Sequence, residues 1–253
     1  MTRVRLIIQY DGTGYVGWQT QPNGLAVQQV MERGLSKLTG ENITLHASGR
    51  TDSGVHARAQ VAHFDTSSRI PPEKFSFAMN TGLPRDIRVL YSDRAENFHA
   101  RFDVLKKHYR YTVLNAPHAS ALTRNSALHI HYELDFASMQ RAAQQLTGEH
   151  DFIAFKSAGV EQKSTVRTIF NSSWTADGRY LHYDVSGSGF MYNMVRILAG
   201  TMIDIGLRRA EPDAVARALA SGRREDAGGT APAHGLTLMR VEYDGFDTED
   251  HVW

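Results

Sequence analysis

A single acid stands between two glycines in the run Gly49-Arg50-Thr51-Asp52-Ser53-Gly54-Val55-His56. Glycines let a chain turn sharply, so this loop can present one side chain to its surroundings. Arg50, two residues before Asp52, brings a cation close to the carboxylate and favours its ionised form, the state in which an aspartate is a nucleophile. The same pair would serve equally as a structural ion pair, and the octapeptide alone leaves both readings open.

Three further segments bear on that acid. Phe98-His99-Ala100-Arg101-Phe102 and the following Lys106-Lys107-His108-Tyr109-Arg110-Tyr111 interleave cations with aromatic rings. That composition suits stacking on bases while holding phosphates; a half-buried strand with a polar outer face would read the same way. Arg196 lies near the start of an apolar stretch, where a guanidinium is costly without a carboxylate, and Asp52 is the expected partner. Ala231-Pro232-Ala233-His234-Gly235-Leu236-Thr237-Leu238 reads as a turn feeding a last strand.

The elements that must position these residues follow from hydrophobic period. Val4, Leu6, Ile8 and Tyr10 alternate as a strand, and Val27, Val30, Met31, Leu35 and Leu38 recur at helical spacing up to Gly40. Residues 43–47 and 60–65 read as strands flanking the Asp52 loop, 72–82 as a helix and 87–91 as a strand. Strand, helix, strand, strand, helix, strand is the ferredoxin-like order. The second half is comparable. It has a strand over 107–115, a helix near 136–146, a hairpin through Asp177-Gly178, an apolar helix over 190–205, a helix over 212–222 and a closing strand over 236–243. The expected class is α+β: two ferredoxin-like, RRM-like halves whose antiparallel sheets meet around a central cleft, with helices on the outer face. The expected division is 1–104, carrying the Asp52 loop, and 105–253, carrying Tyr109 and the Arg196 helix.

Composition narrows the chemistry. With no cysteine among 253 residues, thiolate catalysis, disulfides and cysteine-based zinc sites are excluded. A net charge of +1 means that any nucleic-acid contact must come from local clusters of basic residues. The chain enters a strand pattern at Arg3 without a signal-peptide core, and no apolar run reaches membrane-spanning length, so a cytoplasmic protein is expected. Gly12, Gly14 and Gly17 spell a dinucleotide fingerprint, but Pro22-Asn23-Gly24 follows where a helix should open, so a strand-to-helix connection is the better reading. The twelve histidines show no metal-ligand spacing.

Taken together the segments resemble the tRNA pseudouridine synthase A family. The matching pieces are residues 10–19 (YDGTGYVGWQ), 49–57 (GRTDSGVHA), 97–102 (NFHARF), 109–111 (YRY), 190–196 (FMYNMVR) and 235–238 (GLTL), in the family's order across nearly the whole chain. Ser53 stands where the family usually has alanine. The resemblance implies isomerisation of uridine to pseudouridine at positions 38, 39 and 40 of the tRNA anticodon stem-loop, by a homodimer that needs no metal or organic cofactor. It implies that Asp52 is the catalytic aspartate, Arg196 the arginine paired with it and Tyr109 the ring that packs on the target base. Arg50 would fill the space left by the flipped base. The runner-up is a non-catalytic RNA-binding or chaperone protein on the same scaffold. A hydrolase using Asp52 with a histidine, such as a glycosidase or phosphoesterase, is a third reading, but glycoside hydrolysis usually needs a second carboxylate, and the next acid after the loop, Asp65, lies past the following strand.

Overall fold

The computed structural model describes residues 1–157 and 164–252. In chain order the elements are β1 (Thr2–Tyr10), α1 (Val27–Thr39), β2 (His46–Ala47), β3 (His56–Thr66), α2 (Phe75–Asn80), β4 (Ile87–Arg94) and β5 (Val104–Asn115). There follow β6 (Leu128–Ile130), α3 (Phe136–Gln144), β7 (Gly148–Asp151), β8 (Val166–Asp177), β9 (Tyr180–Gly187), α4 (Met194–Gly206), α5 (Ala214–Ser221), β10 (Leu236–Tyr243) and β11 (Phe246–Asp247). The class is α+β, and the chain forms two compact units, Met1–Lys107 with Thr237–Trp253, and His108–Leu236.

The first unit has the ferredoxin-like strand order. β1 pairs antiparallel with both β3 and β4, and β2 pairs antiparallel with β3. Val4, Leu6, Ile8 and Tyr10 of β1 are buried, as their alternation requires, and Ile7 is buried as well. Helix α1 buries Val27, Met31 and Leu35 and stops at Gly40, which takes a left-handed φ of 75°. β3 is longer than expected. It begins at His56, inside the GRTDSGVHA run, so the Asp52 loop leads straight into a central strand.

The closing strand groups differently from the sequence division. β10 runs parallel to β3, with Thr237 opposite His56 and Leu238 opposite Ala57, and β11 pairs with β10. Residues 237–253 therefore belong with the first unit, because strand pairing is a long-range choice that local alternation does not encode.

In the second unit the order is β5-β9-β8-β7, with β6 parallel to β5. The β8–β9 hairpin turns through Gly178-Arg179, since Asp177 and Tyr180 form its last pair, one residue later than the sequence suggested. Helix α4 starts at Met194 rather than Phe190. Asn193 sits at φ 60°, a left-handed conformation that asparagine tolerates and a helix cannot include. α4 is buried on nearly all sides. Among the described residues no helix is long and apolar enough to cross a membrane.

Candidate active site

The Asp52 loop is fixed along its length by its own unit. Val55 N–H donates to Asp52 O at 3.1 Å, closing a turn whose third residue, Gly54, has φ 78°. Thr51 is buried, and its hydroxyl shares a 2.7 Å hydrogen bond with Tyr10 OH. Gln60, buried on β3, accepts from Ser48 Oγ at 2.6 Å and donates to Gly49 O at 2.9 Å. The exit of the loop is held where β10 pairs with His56 and Ala57. Asp52 itself is partly buried and Arg50 is exposed.

The GxGxxG run supplies the rest of the mount. Trp18 N–H donates to Thr51 O at 3.1 Å, Gly54 N–H donates to Tyr15 O at 3.3 Å, and Gly12 N–H donates to His56 Nδ1 at 3.0 Å. Gly17 has φ 102°, and a Cβ there would stand 2.5 Å from Thr51 O. A Cβ on Gly12 would stand 2.0 Å from Val55 O. These glycines let one backbone lie against another. The β1–α1 connection, which the sequence identified only as a connection, is the seat of the acid.

Tyr109 and Arg196 belong to the second unit. Tyr109 and Tyr111 lie two apart on β5, so both rings take one face, and both are buried. Tyr109 meets Phe190 edge to face, with centroids 5.3 Å apart and planes at 85°. In the first turn of α4, Arg196 Nε donates to Ala231 O and Nη1 donates to Asn193 Oδ1, both at 2.8 Å. Ala231 N–H returns a 3.1 Å bond to Arg196 O, and Tyr111 OH donates to Pro232 O at 2.9 Å. Burial pushes the Tyr111 hydroxyl up, and the Arg196 charge works against it, which places the guanidinium near that ring. Sequence reasoning gave roles to Tyr109 and Arg196 and none to Tyr111, to Phe190 beside Tyr109, or to Asn193 beside Arg196. The signal for Tyr111 was present in the alternation of residues 107–115.

The opposite face of β5 shows a division among the cations. Arg110 donates to both carboxylate oxygens of Asp184, at 2.9 and 3.0 Å, and His108 Nε2 is 2.7 Å from the same group. Burial raises the Asp184 pKa, but these partners outweigh it and hold the carboxyl below its ordinary value. Lys106 is 3.0 Å from Glu242. Lys106 and Arg110 of the aromatic–basic stretch are thus tied to acids, with His108 beside the same carboxylate as Arg110, as a polar outer face would have them. Arg101 and Phe102 remain exposed, and the Phe102 ring stacks on His99 at 4.2 Å. Among the described residues, no group of three or more histidine or acidic side chains is placed to hold a metal ion.

The first unit thus fixes one acid on a loop, and the second holds a buried tyrosine on a strand and an arginine on an apolar helix. Comparison with known proteins gives the family. The family model described as tRNA pseudouridine synthase matches residues 6–103 and 142–244, a span that includes Arg50, Asp52 and Arg196 and leaves Tyr109 between its two parts. The tRNA pseudouridine synthase A of Ruminiclostridium cellulolyticum is 47% identical over 245 residues, covering 96% of this chain and 100% of that protein. That of Pelobacter propionicus is 48% identical over 244 residues, with the same coverage. A crystal structure of an archaeal box H/ACA sRNP Nop10-Cbf5 complex aligns at 11% identity over 80% of this chain and 42% of that chain. Its TM-score is 0.37, too weak to bear on the fold. The chain belongs to the tRNA pseudouridine synthase family.

Proposed function

We propose that this RNA-modifying isomerase converts uridine to pseudouridine at positions 38, 39 and 40 of the tRNA anticodon stem-loop, as a cytoplasmic homodimer that uses no metal or organic cofactor. The single observation that carries the reading is the locked presentation of Asp52 within a motif set that matches the family nearly end to end. The reaction breaks the bond from ribose C1′ to base N1 and rejoins the ring through C5. C5 loses a proton and N1 gains one, so nothing is oxidised and no group is released.

Each residue has a role in that sequence. The target base must leave the stack, at a cost of a few kcal/mol. Stacking on Tyr109 offsets roughly 1–3 kcal/mol of this, and Arg50 fills the space the base leaves. Asp52 attacks as the anion, at base C6 or ribose C1′, with Arg50 and Arg196 as the cations that keep it ionised. The unit of residues 1–107 and 237–253 thus carries the nucleophile, and the unit of residues 108–236 carries the base-stacking tyrosine and the helix arginine.

Hydrolysis finds no support in the first unit. Asp65, the acid nearest in sequence after the loop, is held by Arg3 through two 2.8 Å bonds. The test is tritium release from tRNA labelled at uridine C5, using substrates with uridine only at 38, 39 or 40. Release from these and none from tRNA lacking uridine there is the expected result; release independent of those positions would move the specificity elsewhere. Light scattering checks the dimer.

A further inference from the structure

Several cations of the first unit face an acid: Arg3 faces Asp65, Arg5 faces Asp93 and Lys106 faces Glu242. Arg101 and Lys107 are among those that do not. Among the described residues neither has a carboxylate within ion-pair distance, although they are close enough for the charge of Arg101 to act on Lys107. Burial of the amine, with Arg101 adding to it, pushes the Lys107 pKa from 10.5 down to about 8.

The protein makes room for this costly group. Lys107 Nζ donates to Ser48 O at 2.5 Å, at the start of the Asp52 loop. A Cβ on Gly49 would stand 2.6 Å from that nitrogen, so the glycine that opens the motif is also the space the amine occupies. An ammonium has three N–H donors, and here one has a protein acceptor. The groups facing it are the Ser48 carbonyl, the Gly49 backbone and Arg101. A clamp on one carbonyl needs only a neutral donor. Setting an ammonium beside a guanidinium with no counter-charge adds a penalty that a bound anion would remove.

We propose that Lys107 and Arg101 form a phosphate-binding site at the root of the Asp52 loop that takes one backbone phosphodiester of the RNA. The site rests on the RNA-isomerase reading and deepens it, because a phosphate held there sets the register of the strand against the acid. Arg101 is exposed on the NFHARF turn, and its guanidinium lies 5.8 Å from the centre of the Phe102 ring. It is therefore available to an RNA strand. A phosphate also restores the Lys107 charge, so binding takes up a proton above about pH 8.

The test is calorimetric titration of the full-length Asp52→Asn chain with an anticodon stem-loop RNA at pH 8.5, in two buffers of different ionisation heat. Net proton uptake on binding is expected, lost in Lys107→Met. Arg101→Gln should flatten the slope of log K against log salt by about 0.7–0.9, one phosphate contact. Uptake unchanged in Lys107→Met, or a slope unchanged in Arg101→Gln, overturns the site. Arg101→Gln keeps the test open if Lys107→Met fails to fold, since the Arg101 side chain lies outside the hydrogen bonds of the loop. Wild-type tritium release is measured in parallel. Release with unchanged uptake and slope removes the phosphate site alone; no release with both effects present removes the isomerase and leaves an RNA-phosphate site.

Discussion

The two units hold their candidate site residues by different means. In the first, an acid sits on irregular backbone, held mainly by main-chain bonds and glycine contacts from the 10–19 segment, with the Gln60 and Tyr10 side chains bracing the same loop. In the second, an aromatic ring and a guanidinium sit on a regular strand and helix, and side chains or single carbonyls hold them. A group whose position must be fixed to a fraction of an ångström gains from a mount built largely of backbone. A ring proposed to receive a mobile base gains from a firm wall beside it instead.

Breaking the backbone mount should have the largest effect on stability. Gly17→Ala places a side chain at φ 102° and against Thr51 O. A loss of about 3 kcal/mol or more is expected from strain and overpacking together, read by denaturant unfolding, with activity falling further than tRNA affinity. The side-chain mount should break more locally. Arg196→Met removes charged hydrogen bonds to Ala231 O and Asn193 Oδ1. A loss of about 2–3 kcal/mol in kcat/KM is expected, with Arg196→Lys recovering only part of it. An equal loss of activity from Gly17→Ala and Arg196→Met with no difference in stability would erase the distinction between the units.

Much of this was legible in the sequence, for physical reasons that mark where legibility ends. β1, α1 and α5 follow from period and from glycine stops at Gly40 and Gly222, both left-handed. Asp52 was readable as a candidate because one acid between two glycines is a local pattern. The seat of that acid was not, since close approach between segments 10–19 and 51–55 is non-local and its glycines mimic a dinucleotide loop. The ion pairs that occupy Lys106 and Arg110 were hidden for the same reason, their acids being 136 and 74 residues away. The start of α4 was misplaced because Met191 continues an apolar stripe that Asn193 interrupts in the backbone.

Acid sharpens the comparison, because the first unit also carries a histidine cluster. His63 stacks with His46 at 5.1 Å and meets His99 at 4.8 Å. Burial first, then Arg3 and the neighbouring histidines, push its pKa from 6.5 down to about 4. The folded state resists protonation, so this contribution is complete above pH 6.5 and is lost as pH falls toward 4. A decrease on the order of 2 kcal/mol is expected over that window, measured by urea unfolding, and His63→Gln should flatten it. The smallest effect expected is at Phe102, whose ring is 75% exposed on His99. Phe102→Ala should raise KM for tRNA a few-fold, about 1 kcal/mol, with kcat unchanged, and Phe102→Trp should restore it.

The most direct measurement compares wild type with Asp52→Asn for tritium release from C5-labelled tRNA and, in the same preparations, for tRNA affinity. The amide would keep the loop's shape and remove its charge, so affinity within a few-fold of wild type and no detectable release are the outcome expected. Sustained turnover by the amide variant would contradict the assignment of Asp52 as the nucleophile and, with it, the chemical role given to the loop.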